Sequence, residues 1–267
     1  MTPVHALRAL NGVVARELAR FLGQYTRLAG SLVRPLLWLV VFAAGFRAAL
    51  GLSITEPYQT YITYEIYVVP GLVGMVLLFA AMQGALSMVF DREMGSMRVL
   101  LLAPLPRPFL LFAKLVAITI VAVAQAYAFL AIAWLWGVDF PAAGFLTVLP
   151  AAILAALMLA AVGLLLSALI KQLENFAGVM NFIIFPAFFL SSALYPLWKM
   201  QESSEALALV CRLNPFTHAV ELIRFALYGR VDALGLAVTT ATLAIAFALA
   251  CWAYDPGRGF RPARGGD

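Results

Sequence analysis

Charge is what this chain has least of. Only 12% of its 267 residues are Asp, Glu, Lys or Arg, against 64% hydrophobic, and the mean hydropathy is +0.96. A soluble globule keeps about a quarter of its residues charged, so the composition excludes one. Histidine is almost missing: His5 and His218 leave no His-rich metal site and no metalloprotease motif. Cys211 and Cys251 fit no metal or redox spacing and read as small buried hydrophobes. No Gly-x-x-x-x-Gly-Lys-Ser/Thr loop occurs, so the chain has no means of cradling nucleotide phosphates itself. It also lacks a nucleophile elbow and any pair of aspartates within an apolar run. A nucleic-acid binder would gather basic residues on one face of a polar domain, and there is no such domain. Neither enzyme chemistry nor nucleic-acid recognition has residues to work with.

What is present is apolar length. Six runs, over residues 32–50, 66–90, 115–138, 147–170, 175–198 and 233–254, approach or exceed the ~20 residues needed to cross ~30 Å of hydrocarbon. From the second onward none contains a charged residue. Arg34 and Arg47 flank the centre of the first, where long side chains can snorkel to opposite interfaces. An ion-driven carrier holds acids, histidines or arginines near the midplane, and the last five runs offer none. Their polar residues away from the ends are few; the amides are Gln83, Gln125 and Asn181, which read as interhelical hydrogen-bonding groups.

Residues 6–27 read as an amphipathic interfacial helix. Leu7, Leu10, Val14, Leu18, Phe21 and Tyr25 share one stripe, while Arg16, Arg20 and Arg27 lie opposite, towards lipid phosphates. A helix packed on a soluble partner is the alternative. The N-terminus has no signal-peptide layout, because this basic stretch precedes any apolar run.

Six spans put both termini on one side, and the distribution of basic residues says which. Of the 18 Lys and Arg, all but Arg47, Lys199, Arg212, Arg224 and Arg230 fall on the side of the termini, which is therefore cytoplasmic. The one sizeable outer segment, 196–232, reads as a re-entrant helix pair, with a surface cap as the alternative. Asn214 is a good N-cap and Pro215 a good first residue for a helix burying Phe216, Val220, Ile223 and Leu227. The fold class is thus all-α and polytopic, a single membrane-embedded domain over 1–254. The Gly/Pro/Arg-rich stretch 255–267 reads as a disordered cytoplasmic tail.

Between the second and third runs lies a polar island with charges of both signs, from Phe90 to Arg107. Within it residues 96–102 have room for about two helical turns, with Ser96 as N-cap and Pro104 and Pro106 as stops. The run Glu93-Met94-Gly95-Ser96-Met97-Arg98-Val99-Leu100-Leu101-Leu102-Ala103-Pro104 follows a span containing Val69-Pro70-Gly71. It resembles the permease subunits of type-2 ATP-binding-cassette exporters. A second block, Leu213-Asn214-Pro215-Phe216-Thr217-His218-Ala219-Val220-Glu221-Leu222-Ile223-Arg224, is similar to the same family, and the likeness covers essentially the whole chain. The island also looks like that of a subgroup associated with pyrroloquinoline-quinone-dependent alcohol oxidation. One departure is Arg98, where many members carry an acid.

The resemblance implies that the loop 91–107 docks on an ATPase through a coupling helix. Glu93, Gly95, Ser96, Met97, Arg98, Leu100 and Leu101 are its contact residues. It implies a translocation route lined by aromatics of the first and fifth spans, namely Trp38, Phe42, Phe182, Phe185 and Phe189. Simple packing or lipid contact is the alternative for those rings. The chain itself binds no cofactor on this reading, and ATP and Mg sit on the partner ATPase. A second permease copy, making a homodimer in a bacterial cytoplasmic (inner) membrane, completes the expectation. A non-transporting membrane scaffold, or a subunit of a membrane enzyme complex, is the alternative function.

Overall fold

The computed structural model describes residues 3–23, 32–41, 56–58, 62–94, 106–170 and 172–254, and all regular structure among them is helical. The helices are α1 (Pro3–Leu22), α2 (Leu32–Val41), α3 (Tyr64–Glu93), α4 (Arg107–Leu135) and α5 (Gly144–Leu169). They continue with α6 (Leu173–Phe189), α7 (Leu197–Ser203), α8 (Glu205–Leu213), α9 (Pro215–Leu227) and α10 (Ala233–Ala253). The tail 255–267, Phe42, Arg47 and the helix expected over 96–102 lie outside the described residues.

Four helices, α3, α4, α5 and α10, are long and apolar enough to cross a membrane. The pair α8 and α9 makes a fifth if its 77° bend is one broken span. The helices α2 and α6 are apolar but shorter. The fifth apolar run was expected to continue to residue 198, yet α6 ends at Phe189 and the chain turns through 190–195. Pro186 lies in the last turn of α6, and its carbonyl accepts the Leu190 N–H as that turn closes. The Ser191 hydroxyl then donates to the Phe188 carbonyl at 2.6 Å and accepts from Ala193 N–H at 3.2 Å. A serine that satisfies the helix end in this way favours stopping over continuing.

The centre of the bundle is α3. It is buried on nearly every side from Tyr64 to Met82, packing on α4, α5, α6 and α9. Close approach explains its glycines. A Cβ at Gly71 would collide with the Ala193 carbonyl, and one at Gly74 would lie 2.9 Å from the Val220 side chain. Small residues also set the α5 contacts, where Ala152, Ala155, Ala156, Ala160 and Ala161 are buried between α3 and α10. Between membrane helices the driving force is van der Waals fit, which small residues improve by letting backbones approach.

Candidate functional site: two buried polar nodes and an aromatic face

At the C-terminal end of α3 an aspartate is buried where apolar contacts alone would be expected. Asp91 is wholly buried, and Lys114 of α4, 2% exposed, places its Nζ 2.7 Å from Asp91 Oδ2. The helix α1 lies across this pair. Arg16 Nη2 is 3.2 Å from Asp91 Oδ2, Arg20 Nη2 is 3.1 Å from Oδ1, and Glu17 Oε1 is 3.2 Å from Lys114 Nζ. Two acids and three cations thus pair in a partly dry site, so that each buried charge has a counter-charge, with one positive charge in excess towards the more exposed arginines. Burial pushes the Glu17 carboxyl up. The Lys114 ammonium and the Arg16 guanidinium outweigh that and hold it below its usual range.

This node corrects the orientation expected for α1. Arg16 and Arg20 face Asp91, not lipid phosphates, and Val13 is buried with Leu110 and Ala113 of α4 while Leu7 is left exposed. The reason is energetic: an unpaired buried carboxylate costs far more than a surface arginine gains from a phosphate. Sequence reasoning assigned no role to Asp91 or Lys114, which stand next to the apolar runs 66–90 and 115–138. Their one legible signal was a charge placed flush against each apolar run.

Neighbouring charges finish helix ends. Arg92 Nη2 donates to the Ser167 carbonyl at 3.1 Å, placing a cation at the C-terminus of α5. Glu93 Oε1 accepts from Leu173 N–H at 2.8 Å, capping α6. Glu93 is therefore engaged within the chain, though exposed. The other residues expected on the ATPase, Gly95, Ser96, Met97, Arg98, Leu100 and Leu101, lie outside the described residues. Between α1, α3 and α4, Gln83 and Gln125 line a small cavity with Glu17 and Arg20.

The second node sits at the opposite end of α3. Arg224 of α9 is 1% exposed, and its guanidinium lies 3.8 Å from the Tyr67 ring centroid. It donates to the Tyr67 carbonyl at 2.8 Å, the Ser192 carbonyl at 2.9 Å and the Tyr58 hydroxyl at 3.2 Å, with Glu221 Oε2 3.3 Å from Nε. Around it, Tyr64 and Tyr67 hydroxyls donate to the Leu194 and Ser192 carbonyls at 2.8 and 2.9 Å. Asn214 Nδ2 donates to the carbonyls of Ala187 and Leu190, both at 2.7 Å, while its Oδ1 accepts Phe216 N–H. Pro215 is the first residue of α9. The non-helical turn 190–195 is thus held by side chains of α3 and α9, which is how irregular backbone survives in a dry interior. Tyr64 and Tyr67 carried no motif, and Arg224 was legible only as the last residue of the second family block and as one of the outer basic residues; sequence reasoning missed its burial among tyrosines.

The third feature is a face of rings. Trp38 of α2 meets Phe189 edge-on at 5.9 Å, Phe189 stacks on Phe185 at 6.3 Å, and Phe185 meets Phe79 of α3 edge-on at 6.5 Å. Phe182 is 79% exposed, and Phe185 and Phe189 are each about two-fifths exposed. Phe42 lies outside the described residues. Arg34 places its guanidinium 4.3 Å from the Phe79 ring centroid, mid-length on α3. Among the described residues no group of three or more His, Cys, Asp or Glu side chains could hold a metal ion.

These features define a multi-pass helical membrane protein whose buried charges brace the two ends of its central helix. Residues 8–228 match the family model described as ABC-2 type transporter. The chain is 29% identical over 232 residues to a protein named as transport permease ycf38 in Porphyra purpurea, covering 85% of this chain and 76% of that one. Its counterpart in Cyanophora paradoxa is 27% identical over 202 residues, covering 74% and 67%. A protein of Escherichia coli K12 named as multidrug ABC transporter permease YbhR is 32% identical over 176 residues, covering 65% and 46%. The chain belongs to the ABC-2 type transporter family and is the transmembrane subunit of an ABC transporter.

Proposed function

We propose that this permease works as a homodimer driven by separate ATPase subunits, exporting an amphipathic or small hydrophobic molecule across a bacterial cytoplasmic membrane. Six spans then cross the bilayer: α3, α4, α5 and α10, together with the runs that contain α2 and α6. The pair α8 and α9 re-enters from outside, and α1 lies along the inner interface with its Leu7 side open to lipid. Both termini are cytoplasmic. The distribution of tryptophans supports this frame. Trp134 and Trp136 are exposed near the outer end of α4 and Trp252 near the inner end of α10, as interfacial belts require.

The observation that carries the coupling role is the buried Asp91–Lys114 pair. Asp91 lies in the last turn of α3 and Lys114 two turns into α4, so the pair joins the two helices that flank residues 95–105, and α1 is tied to the same pair. Force applied to the loop by an ATPase therefore reaches three helices at once. ATP and Mg belong to that ATPase, and Gly95 to Leu101 are the surface it grips.

Reconstituted vesicles containing permease and ATPase test this. Met97→Asp and Arg98→Glu should lower substrate-stimulated ATP hydrolysis and ATPase pull-down while leaving membrane insertion intact. Glu93→Gln, which keeps an acceptor for Leu173 N–H, should have the smaller effect. Normal stimulation and pull-down by both loop variants would remove the coupling role.

A further inference from the structure

The geometry points to a binding site for an organic anion on the aromatic face, with Arg34 as the anion-recognising residue. This rests on the proposed route and narrows its substrate to amphipathic molecules bearing a carboxylate or phosphate on an apolar, ring-rich body. The starting point is depth. Phe79 lies roughly 20 Å along α3 from Glu93 at ~1.5 Å per residue, so the guanidinium stacked on it sits well inside the band α3 spans. Charge at that depth is costly and needs an anion, a cavity or a functional reason. The two fully buried described cations both have an acid within reach: Lys114 has Asp91 and Glu17, and Arg224 has Glu221. Among the described residues Arg34 makes no ion pair, and its side is exposed.

The Phe79 ring, 4.3 Å from the guanidinium carbon, covers one side of the group, and because Arg34 is otherwise exposed its N–H donors are open to a planar or tetrahedral oxyanion. Beside it, Phe185, Phe189 and Trp38 form a continuous ring surface, with Phe182 more exposed again. Rings next to a fixed cation complement a molecule with an apolar body and one anionic end. The pairing also explains why the chain tolerates an arginine with no acid beside it among the described residues: the cargo supplies the counter-charge only while it is bound.

The test uses the full permease with its ATPase in phosphatidylcholine nanodiscs. The probes are 1-pyrenebutyrate and 1-pyrenebutanol, which share a body and differ in the anion. Saturable tryptophan-to-pyrene energy transfer above that of empty discs reports binding, and ATP hydrolysis is followed in parallel. Wild type should bind the carboxylate about tenfold more tightly than the alcohol, as one charge-assisted contact provides. Arg34→Gln should bring the two probes within about twofold of each other. Arg34→Lys should keep part of the preference, and Phe185→Ala should weaken both probes. A preference that survives Arg34→Gln overturns the inference, as does equal binding of both probes by wild type. Loss of the preference on adding phosphatidylglycerol would give Arg34 to a lipid headgroup. Dissociation of the dimer by Arg34→Gln with an unchanged probe ratio would give it to a second copy. If both probes bind and Phe185→Ala weakens both while Arg34→Gln does nothing, the route stands and the anion site falls. If neither probe binds saturably or stimulates hydrolysis, the route itself fails and takes the anion site with it.

Discussion

Lys114 and Asp91, 23 residues apart in sequence, meet at 2.7 Å inside the bundle, and α1 closes over them with two arginines and a glutamate. The loop that the pair encloses is tied at both ends to one electrostatic junction. Its strength is the first thing to measure.

Removing either partner alone leaves a buried charge with its nearest counter-charge gone: Asp91 keeps the more exposed Arg16 and Arg20, and Lys114 keeps Glu17. Asp91→Leu and Lys114→Met should each cost about 3–5 kcal/mol, and the double variant clearly less than their sum, because apolar replacement of a whole pair is often tolerated. Thermal unfolding in detergent, followed by loss of the monodisperse gel-filtration peak, gives the cycle. Additive effects would mean the pair is not coupled.

Acid should release α1 late. Lys114 and Arg16 hold the Glu17 carboxyl below its ordinary value of 4.5, despite the upward push of burial. Its contribution is therefore fully present above that value and disappears as pH falls through the lower, folded-state pKa. Hydrogen exchange of α1 should stay slow from pH 7 down to the ordinary carboxylate range and rise only below it. Glu17→Gln should raise exchange at pH 7 and remove its part of the acid dependence. Exchange that rises already near pH 6 would contradict this sign.

Arg224 should matter more than the tyrosine it stacks on. Tyr67→Phe removes one hydrogen bond to the Ser192 carbonyl, which keeps its bond from Arg224 Nη2, and should cost ~1 kcal/mol. Arg224→Met removes the guanidinium donors of the Tyr67 and Ser192 carbonyls and leaves the half-buried Glu221 carboxylate without its cation, and should cost severalfold more. Equal effects on thermal stability would mean the turn 190–195 is held by packing alone.

Topology is open to direct labelling. In a Cys211→Ala, Cys251→Ala background, single cysteines at Ser203 and Ser96 should react with an impermeant thiol reagent from opposite sides of the membrane. Reaction of both from outside intact cells would reverse the proposed orientation.

The class of this protein was legible in its sequence because partitioning into a membrane is a local, additive property. A run such as 147–170 is apolar residue by residue, and no distant contact is needed to make its transfer from water favourable. Asn214 and Pro215 belong to the same kind of information, since a cap and a fixed φ act on the next turn of the same chain. Where α6 stops was less legible, because the Ser191 hydroxyl competes with continued helix only once α3 and α9 satisfy the turn that follows.

Only the tertiary structure decided what the charges do. Arg16 and Asp91 are 75 residues apart, and Arg224 and Tyr67 are 157 apart. No periodicity relates such positions. An arginine at the edge of an apolar run reads the same whether it snorkels to lipid, pairs with a buried acid, or stacks on a ring at mid-depth. The choice is made by which carboxylates and aromatics the packing has already removed from water, because electrostatic attraction is strong only where the solvent that would screen it is gone. The sequence therefore determined that the chain sits in a membrane, and the fold determined that Arg20 faces Asp91 while Arg34 faces Phe79.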